Sequence, residues 1–438
     1  MLLAGNASSE VEPIYAGWTV GDRWDDGSGT GSYGTILRST DSGETWTRQG
    51  EGKIADVNMY GVFAADPYTA WVVGDPHNGY ATIYHTTDGG SHWERKGSSD
   101  PASLEYVPNV ELKKVHAGGD DVWAVGQGTI LHTNDGGATW TNHIPTGHED
   151  TLFQGVYALD SYTVWVTGGP GEHGKPVILK TNDTGLTWTD YHVHNDDYPK
   201  FNSILGISAA DANTAWAVGG LGYFVLKTTD GGATWIRDPN WKWGGGEFDV
   251  NEVYVVSPSA VWVASDFTIY GTTDGGKSWN PSGDSLPTGL AYMGICAVSA
   301  QKAWASHYAV WGGIYHTTDG GGNWTTQLDN ERGPGFFTIS FATQPINLYD
   351  FIISLIGDVE QLMDDGSLNK GQGNALIVKL EHALDRLAND RLKAATSAFY
   401  AFSNQVDAFV RGGVLRHEDG QDLLDQVNYI IEHLFSPL

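Results

Sequence analysis

The chain has 438 residues, among them 58 glycines and 18 tryptophans, and only 18% of its residues are charged. This composition is typical of a turn-rich β protein with more than one domain, and it argues against a helical or disordered chain. The formal net charge of −29 repels phosphate backbones and anionic lipid. It therefore argues against nucleic-acid and membrane-surface partners and favours cations, glycans or basic proteins.

The N-terminal segment, residues 1–10, gives a mixed signal. Residues 1–8 end in the small-x-small pattern of a signal cleavage site, but they lack a basic region and most of an apolar region. One hypothesis is that an upstream export signal is missing from this sequence. A longer reading frame in the source gene would support it, and an in-frame stop just before Met1 would contradict it. No later stretch reaches the roughly 20 apolar residues that a transmembrane helix needs.

Residues 11–343 contain the pattern [ST]-x-D-x-G-x-x-W seven times, at intervals of 44 to 48 residues. Within the pattern, the Asp carboxylate can accept hydrogen bonds from the backbone N–H groups that follow, and the Gly supplies a backbone conformation that is costly for other residues. We expect these residues to stabilise turns. The Asp and Trp of the seven boxes are Asp41, Asp88, Asp135, Asp183, Asp230, Asp274, Asp319, Trp46, Trp93, Trp140, Trp188, Trp235, Trp279 and Trp324.

A second tryptophan series runs in step with the boxes, each member in the middle of an apolar strand. Its members are Trp18, Trp71, Trp123, Trp165, Trp216, Trp262 and Trp304. Each unit contains four short strand patterns, as the second unit shows with 59–65, 70–74, 82–86 and a strand beginning near Trp93. Four strands in 44 to 48 residues are one propeller blade. The sequence therefore predicts a mainly β fold, a seven-bladed β-propeller.

The boxes resemble the Asp-box, or BNR, repeat family, which includes sialidases, xyloglucan hydrolases, sortilin-type receptors and Ycf48-like photosystem assembly factors. The resemblance covers about three quarters of the chain and implies the propeller fold. It does not select among these activities, because the box is a folding element common to all of them.

Closure of the ring is predicted from the two ends of the repeat region. The first unit has no inner strand directly before Trp18, whereas residues 336–341 form a strand pattern alone after the seventh box. We expect residues 336–341 to pair into the first blade and so to remove exposed sheet edges. Residues 1–10 are the alternative.

Acidic residues in the first two blades are the candidates for catalysis. Glycoside hydrolysis needs two carboxylates about 5 to 10 Å apart, and Asp22, Asp25, Asp26 and Asp75 lie in loops of the face opposite the boxes. The alternative is that these are ordinary acidic loop tips. Sialidases bind their substrate with three converging arginines, and the propeller has few. The xyloglucan hydrolases of the resembled family use two propellers that face each other across a cleft, whereas this chain has one.

Histidines and carboxylates are densest around the fourth blade, in three loop segments. Imidazole suits transition metals and grouped carboxylates suit Ca²⁺, although no spacing here matches a specific metal motif. The alternative is a solvated polar rim, and we predict no cofactor. The weak metal candidates are His148, Glu149, Asp150, Glu172, His173, His192, His194, Asp196 and Asp197.

Four tryptophans fall outside both series and are candidates for stacking on a sugar or anchoring a protein partner, with packing inside the loops as the alternative. They are Trp24, Trp241, Trp243 and Trp311. The single cysteine, Cys296, lies in an apolar run and is expected to be a buried, inert thiol.

After a linker at residues 344–349, the apolar period changes to 3.6 and predicts four amphipathic helices in residues 350–438. Four such helices make a small bundle. Two similar loops, beginning at Gly366 and Gly413, suggest a duplicated helical hairpin. This domain resembles the FIMAH-type helical modules at the C-termini of bacterial and archaeal surface and secreted proteins.

These patterns favour a non-catalytic propeller scaffold, exported or at the cell surface, that binds protein or glycan. The helical module would serve attachment, homo-oligomerisation or extracellular assembly. A carbohydrate-active hydrolase is the first alternative. A Ycf48-like assembly factor is the second, and the acidic balance and the extra helical domain argue against it.

Overall fold

The computed structural model describes residues 14–24, 33–50, 54–169, 176–191, 203–220, 224–241, 249–283, 285–287, 289–309, 312–329, 334–343, 348–387 and 391–433. The chain divides into two compact units, Tyr15–Thr343 and the part that contains the four C-terminal helices. Most of the predicted N-terminal segment and linker therefore lies outside the described residues.

Seven four-stranded antiparallel sheets make up the first unit within the described residues, which confirms the predicted seven-bladed propeller. Blades 2 to 7 each take four consecutive strands. From the inner strand outward, blade 2 has β4 Met59–Ala64, β5 Ala70–His77, β6 Tyr80–Thr86 and β7 Glu94–Arg95, and blade 3 has β8 Leu112–Gly118, β9 Asp121–Gly126, β10 Thr129–Thr133 and β11 Thr141–Asn142. Blade 4 has β12 Leu152–Ala158, β13 Val164–Gly169, β14 Val177–Thr181 and β15 Thr189–Tyr191, and blade 5 has β16 Ser203–Ala209, β17 Ala215–Gly220, β18 Phe224–Thr228 and β19 Ile236–Arg237. Blade 6 has β20 Val250–Val255, β21 Val261–Ser265, β22 Ile269–Thr272 and β23 Asn280–Pro281, and blade 7 has β24 Ala291–Ala297, β25 Ala303–Tyr308, β26 Gly313–Thr317 and β27 Thr325–Asp329.

Blade 1 joins the two ends of the propeller. Its strands, from the inner one outward, are β28 Phe336–Thr343, β1 Tyr15–Trp24, β2 Tyr33–Ser39 and β3 Thr47–Arg48. Strand β28 pairs antiparallel with β1 along its length, from the Tyr15–Thr343 pair to the Gly21–Phe336 pair. This pairing confirms the closing strand predicted from residues 336–341.

The two tryptophan series interlock between neighbouring blades. The strand tryptophans are buried, and in four blade pairs the box tryptophan of the following blade packs edge-on against the strand tryptophan, as for Trp71 and Trp140, whose ring centroids lie 6.0 Å apart. Trp165 and Trp235 repeat this contact at 5.6 Å. Edge-to-face aromatic pairs stabilise the fold by more than the area they bury, so these tryptophan contacts stabilise the packing of neighbouring blades.

The box aspartates are used within their own turns. In all seven boxes the Asp Oδ1 atom accepts the backbone N–H of the residue four positions later, at 2.8–2.9 Å. The Ser or Thr two positions earlier donates its hydroxyl to the same atom, at 2.7–3.0 Å. These carboxylates therefore hold the hairpin between the third and fourth strands.

An ion pair bridges the central channel. Lys114 follows a β-bulge in the inner strand of blade 3, and Glu252 follows the equivalent bulge in blade 6. Four other inner strands carry Gly there, at Gly61, Gly155, Gly206 and Gly294. Because blades 3 and 6 are not neighbours, the Lys114 and Glu252 side chains meet over the channel, where both are largely buried.

The second unit contains the four predicted helices, α1 Leu348–Asp364, α2 Lys370–Leu387, α3 Leu392–Arg411 and α4 His417–His433. Helix α1 begins at Leu348, two residues before the predicted start at residue 350, so the last two residues of the predicted linker are helical. The hydrophobic core of this unit shows an internal repeat. Buried residues of α1 have counterparts in α3, such as Ile352 with Phe399 and Leu355 with Phe402.

Candidate binding site at the channel mouth

Three side chains meet where the second strands of adjacent blades end, on the face opposite the Asp boxes. Asp22, Asp75 and Tyr308 each lie four residues after a strand tryptophan, in blades 1, 2 and 7. The ring places these three blades side by side. The repeat therefore brings two carboxyl groups and a phenol to one side of the channel mouth.

An aromatic floor lies beneath them, formed by residues that face the channel from the inner strands. Tyr308 stacks on Phe337 with ring centroids 4.9 Å apart and planes inclined by 18°. Phe337 also contacts Tyr60, at 5.0 Å. Tyr308, which lies on this floor, keeps 41% of its surface exposed, so its ring is open to a ligand.

Asp22 lies in an unfavourable environment for negative charge. Burial raises the pKa of Asp22, the charge of Asp75 raises it further, and a hydrogen bond from the Tyr308 hydroxyl opposes both. The negative charge of Asp22 in turn raises the pKa of Tyr308. A positively charged group placed beside the carboxylates would relieve this repulsion.

The protein already places a cation against part of the floor. The Lys113 Nζ atom lies 3.9 Å from the centroid of the Tyr60 ring, and Lys113 also forms an ion pair with Glu111. Burial lowers the pKa of Lys113, while the charge of Asp75 raises it. The mouth is thus suited to cation–π and carboxylate contacts with a positively charged ligand.

Of the predicted acidic candidates, the structure brings Asp22 and Asp75 together, but at the ends of strands β1 and β5 and not in loops, because both strands continue past the apolar pattern. Asp25 and Asp26 lie outside the described residues. Sequence reasoning missed Tyr60, Tyr308 and Phe337. Tyr308 carried a usable signal, because it lies four residues after Trp304, as Asp22 does after Trp18. Tyr60 and Phe337 look like ordinary strand aromatics in the sequence, and only the strand register shows that they face the channel.

The tryptophans outside the two series have different positions. Trp241 is 6% exposed and packs against Tyr270 and Trp279, with ring centroids 4.7 and 5.1 Å away. It therefore offers no open ring face, because its loop folds back onto blade 6. Trp24 is half-buried under the guanidinium of Arg48, 4.6 Å from its ring. Trp243 and Trp311 lie outside the described residues.

The metal candidates are only partly described. His148 lies with its Nε2 atom 3.4 Å from Asp190, Glu149 accepts the backbone N–H of Gly147, and Asp150 is exposed. In the part of the chain that the structure covers, no three His, Cys, Asp or Glu side chains are grouped closely enough to hold a metal ion. The remaining candidates lie outside that part: Glu172, His173, His192, His194, Asp196 and Asp197.

Cys296 is buried, as predicted, and burial raises the pKa of its thiol to about 11. Its Sγ atom accepts the backbone N–H of Phe341 in the closing strand at 3.4 Å. The thiol is therefore protonated near neutral pH and poorly placed to act as a nucleophile.

Comparisons with known proteins agree with the propeller fold. Residues 62–149, which lie in blades 2 to 3, match a family model described as photosynthesis system II assembly factor YCF48. No curated protein matches the chain significantly. The family match is too short to assign the chain to that family.

Solved structures similar to the chain share little sequence with it. YCF48 from Cyanidioschyzon merolae is 17% identical over 66% of this chain and 96% of its own, with a TM-score of 0.48. A structure of YCF48 bound to D1 peptide is 17% identical over 66% and 93% of the two chains, with a TM-score of 0.47. A GH74 xyloglucanase from Xanthomonas campestris is 14% identical over 76% and 55%, with a TM-score of 0.49. Identities this low do not assign a function.

Among the described residues, no helix has both the length and the apolar character required to cross a membrane.

Proposed function

We propose that the propeller is a non-catalytic scaffold that binds a protein partner through a basic segment at the channel mouth. The observation that carries this proposal is the pairing of Asp22 and Asp75 beside the exposed, stacked ring of Tyr308. An arginine or lysine of the partner would lie over the ring and between the carboxylates. The net charge of −29 would steer such a segment toward the protein.

The family match supports a protein as the ligand. The model that residues 62–149 match describes an assembly factor, and an assembly factor acts on other proteins. Both a propeller scaffold and a Ycf48-like assembly factor could bind a protein segment at the channel mouth, so the proposal includes both. A location outside the cell, glycan binding and attachment through the four helices stay predictions.

The test is a selection of displayed peptides on the immobilised full chain. We expect the enriched peptides to carry Lys or Arg, and we expect the Asp22→Asn, Asp75→Asn double variant to lose at least about tenfold in affinity, or about 1.4 kcal/mol. The matched control is Glu44→Gln, Asp120→Asn, which removes two exposed carboxylates on the opposite face and should bind as the unmodified chain does. Peptides without basic residues, or equal binding by the double variant, would contradict the proposal.

Glycoside hydrolysis is a second candidate, favoured by one observation. A carboxyl group with a raised pKa beside a second carboxylate is the pairing that such an enzyme uses, and Asp22 with Asp75 has this form. Release of reducing sugar from a β-glucan by the full chain, lost in both Asp22→Asn and Asp75→Asn, would establish the hydrolase. Absence of turnover on a panel of glycans, with peptide binding intact, would exclude the hydrolase and favour the non-catalytic scaffold.

A further inference from the structure

Cationic side chains fill the space between several neighbouring blades, close to the Asp boxes. In blades 4 and 5, Lys180 and Lys227 lie opposite a strand tryptophan and over its ring, with Nζ 4.4 and 4.6 Å from the ring centroid. Each donates to a backbone carbonyl of the following blade, Lys180 to Ala212 at 2.7 Å and Lys227 to Gly275 at 2.9 Å. Arg38 does the same in blade 1. A cation therefore fills this space in blades 1, 4 and 5, whereas blades 2 and 7 have a stacked histidine there, His85 and His316.

The space between blades 3 and 4 has a histidine where blades 1, 4 and 5 have a cation. His132 lies opposite Trp123 and stacks on it, with ring centroids 4.2 Å apart. Its Nε2 atom lies 2.7 Å from Asp121 of its own blade. An open pocket of about 520 Å³ lies beside this histidine, and its walls include His132, His143, Tyr162, Asn182, Thr184 and Leu186.

One wall of this pocket is strained. Thr184 has φ 58°, a left-handed conformation that is unfavourable for a β-branched residue. Five of the other boxes have Gly at this position: Gly89, Gly136, Gly231, Gly275 and Gly320. Strained residues are concentrated at functional sites. The Thr184 carbonyl is the counterpart of the Gly231 and Gly275 carbonyls, which accept from Lys180 and Lys227.

The pocket is rich in hydrogen-bond acceptors. Burial lowers the pKa of His132, so its ring is neutral near pH 7; with Nε2–H directed at Asp121, its Nδ1 atom carries a lone pair. The His143 Nδ1 atom lies 3.0 Å from the Gly185 carbonyl, which can only accept, so Nδ1 donates and Nε2 is the nitrogen that can accept when the ring is neutral. Tyr162 and Leu186 are 66% and 80% exposed and offer apolar surface at the rim.

We propose that the pocket between blades 3 and 4 binds an alkylammonium group beside the stacked His132 and Trp123 rings, next to the Thr184 carbonyl, the counterpart of the carbonyls that Lys180 and Lys227 bind in their own blades. The ammonium has three donors and no acceptor, which matches the lone pairs of the two histidines and the Thr184 carbonyl. Its aliphatic stem lies against Tyr162 and Leu186. The group could belong to a lysine of a protein partner or to a free diamine.

The direct test is NMR titration of the full chain with ¹³C-labelled histidine. The probes are Nα-acetyl-lysine N-methylamide, 1,4-diaminobutane and the norleucine analogue, which keeps the stem and lacks the ammonium. We expect both amines to shift the His132 and His143 signals saturably and the norleucine analogue to bind at least about tenfold more weakly. Absence of a shift with both amines, or equal binding of the norleucine analogue, would overturn the proposal. Similar affinities for the two amines would identify a lysine side chain as an acceptable source, and binding of the diamine alone would identify a free amine.

The matched variants are His132→Lys and His85→Lys. His85 also stacks on a strand tryptophan, at 3.9 Å from Trp71, but in blade 2. We expect His132→Lys to fill the pocket and lose at least about tenfold in amine affinity, and His85→Lys to retain it. Should His132→Lys fail to fold, Leu186→Arg places a guanidinium at an exposed rim position and should weaken the amine to a similar extent. Unchanged affinity in folded His132→Lys, or in Leu186→Arg, contradicts the assignment.

Discussion

The box aspartates show how a single carboxylate stabilises a turn. Hydrogen bonds lower the pKa of four of them to about 2, with the donors of the residue four positions later as the largest cause. These four are Asp88, Asp135, Asp230 and Asp274. A lowered pKa in the folded state means that the ionised group favours folding, so the boxes stabilise the propeller only while they are charged.

The pH dependence of unfolding should report this contribution. Because the folded-state pKa values lie below the ordinary value, the stabilisation is complete above about pH 4 and is lost as the pH falls toward 2. The free energy of unfolding, followed by tryptophan fluorescence, should fall through this range. Asp135→Asn should be less stable at pH 7 and show a shallower fall. An equal fall in Asp135→Asn and the unmodified chain would contradict the assignment.

At the scale of the strand pair, the closing contact between β1 and β28 depends on a close approach of backbone to backbone. Gly21 lies where a Cβ atom would collide with the Gly335 carbonyl oxygen. Gly74 in blade 2 meets Asn58 O in the same way. The second strands of these blades therefore need glycine near the channel mouth, where they approach the backbone of the first strands.

Gly21→Ala should weaken ring closure. We expect a loss of about 1–3 kcal/mol, because the added methyl forces β1 away from the end of β28. Thermal unfolding followed by tryptophan fluorescence isolates the propeller, since the chain has no tryptophan after Trp324. The control is Gly357→Ala in α1, where an added Cβ meets nothing, and it should leave this transition unchanged. A Gly21→Ala transition equal to that of the unmodified chain would show that the strands can adjust.

The strands could be predicted from the sequence because the two tryptophan series repeat in step with them. The closing strand could be predicted because residues 336–341 form a strand pattern outside the repeats, and only the first blade lacked an inner strand. The channel mouth could be predicted only in part. Asp22 and Asp75 were visible as loop acids, but Phe337 and Tyr60 gain their role from the register of separate blades. Trp241 breaks both series and yet packs in the core, because position in the sequence does not report how a loop folds back.

For the propeller as a whole, the Lys114–Glu252 pair links two blades that are not neighbours. Burial raises the pKa of Glu252, and the positive charge of Lys114 opposes that shift. Removing one partner leaves the other charge unpaired in the channel, which is more costly than removing both.

A double-mutant cycle tests this link. Lys114→Met should cost about 3–5 kcal/mol in the free energy of unfolding, and Lys114→Met combined with Glu252→Met should recover most of that loss. Lys277→Met, at an exposed position, is the control and should change stability little. Additive effects of the two substitutions would mean that the side chains do not stabilise each other across the channel.

The central claim is that a basic protein segment binds at the channel mouth, and photo-crosslinking tests it most directly. A benzophenone amino acid would replace Tyr308 at the mouth or Tyr68, an exposed tyrosine in a turn on the opposite face. With the selected basic peptide, we predict crosslinking from position 308, its loss when Asp22→Asn and Asp75→Asn are added, and none from position 68. Equal crosslinking from both positions, or crosslinking at 308 that persists without the two carboxylates, would contradict the claim.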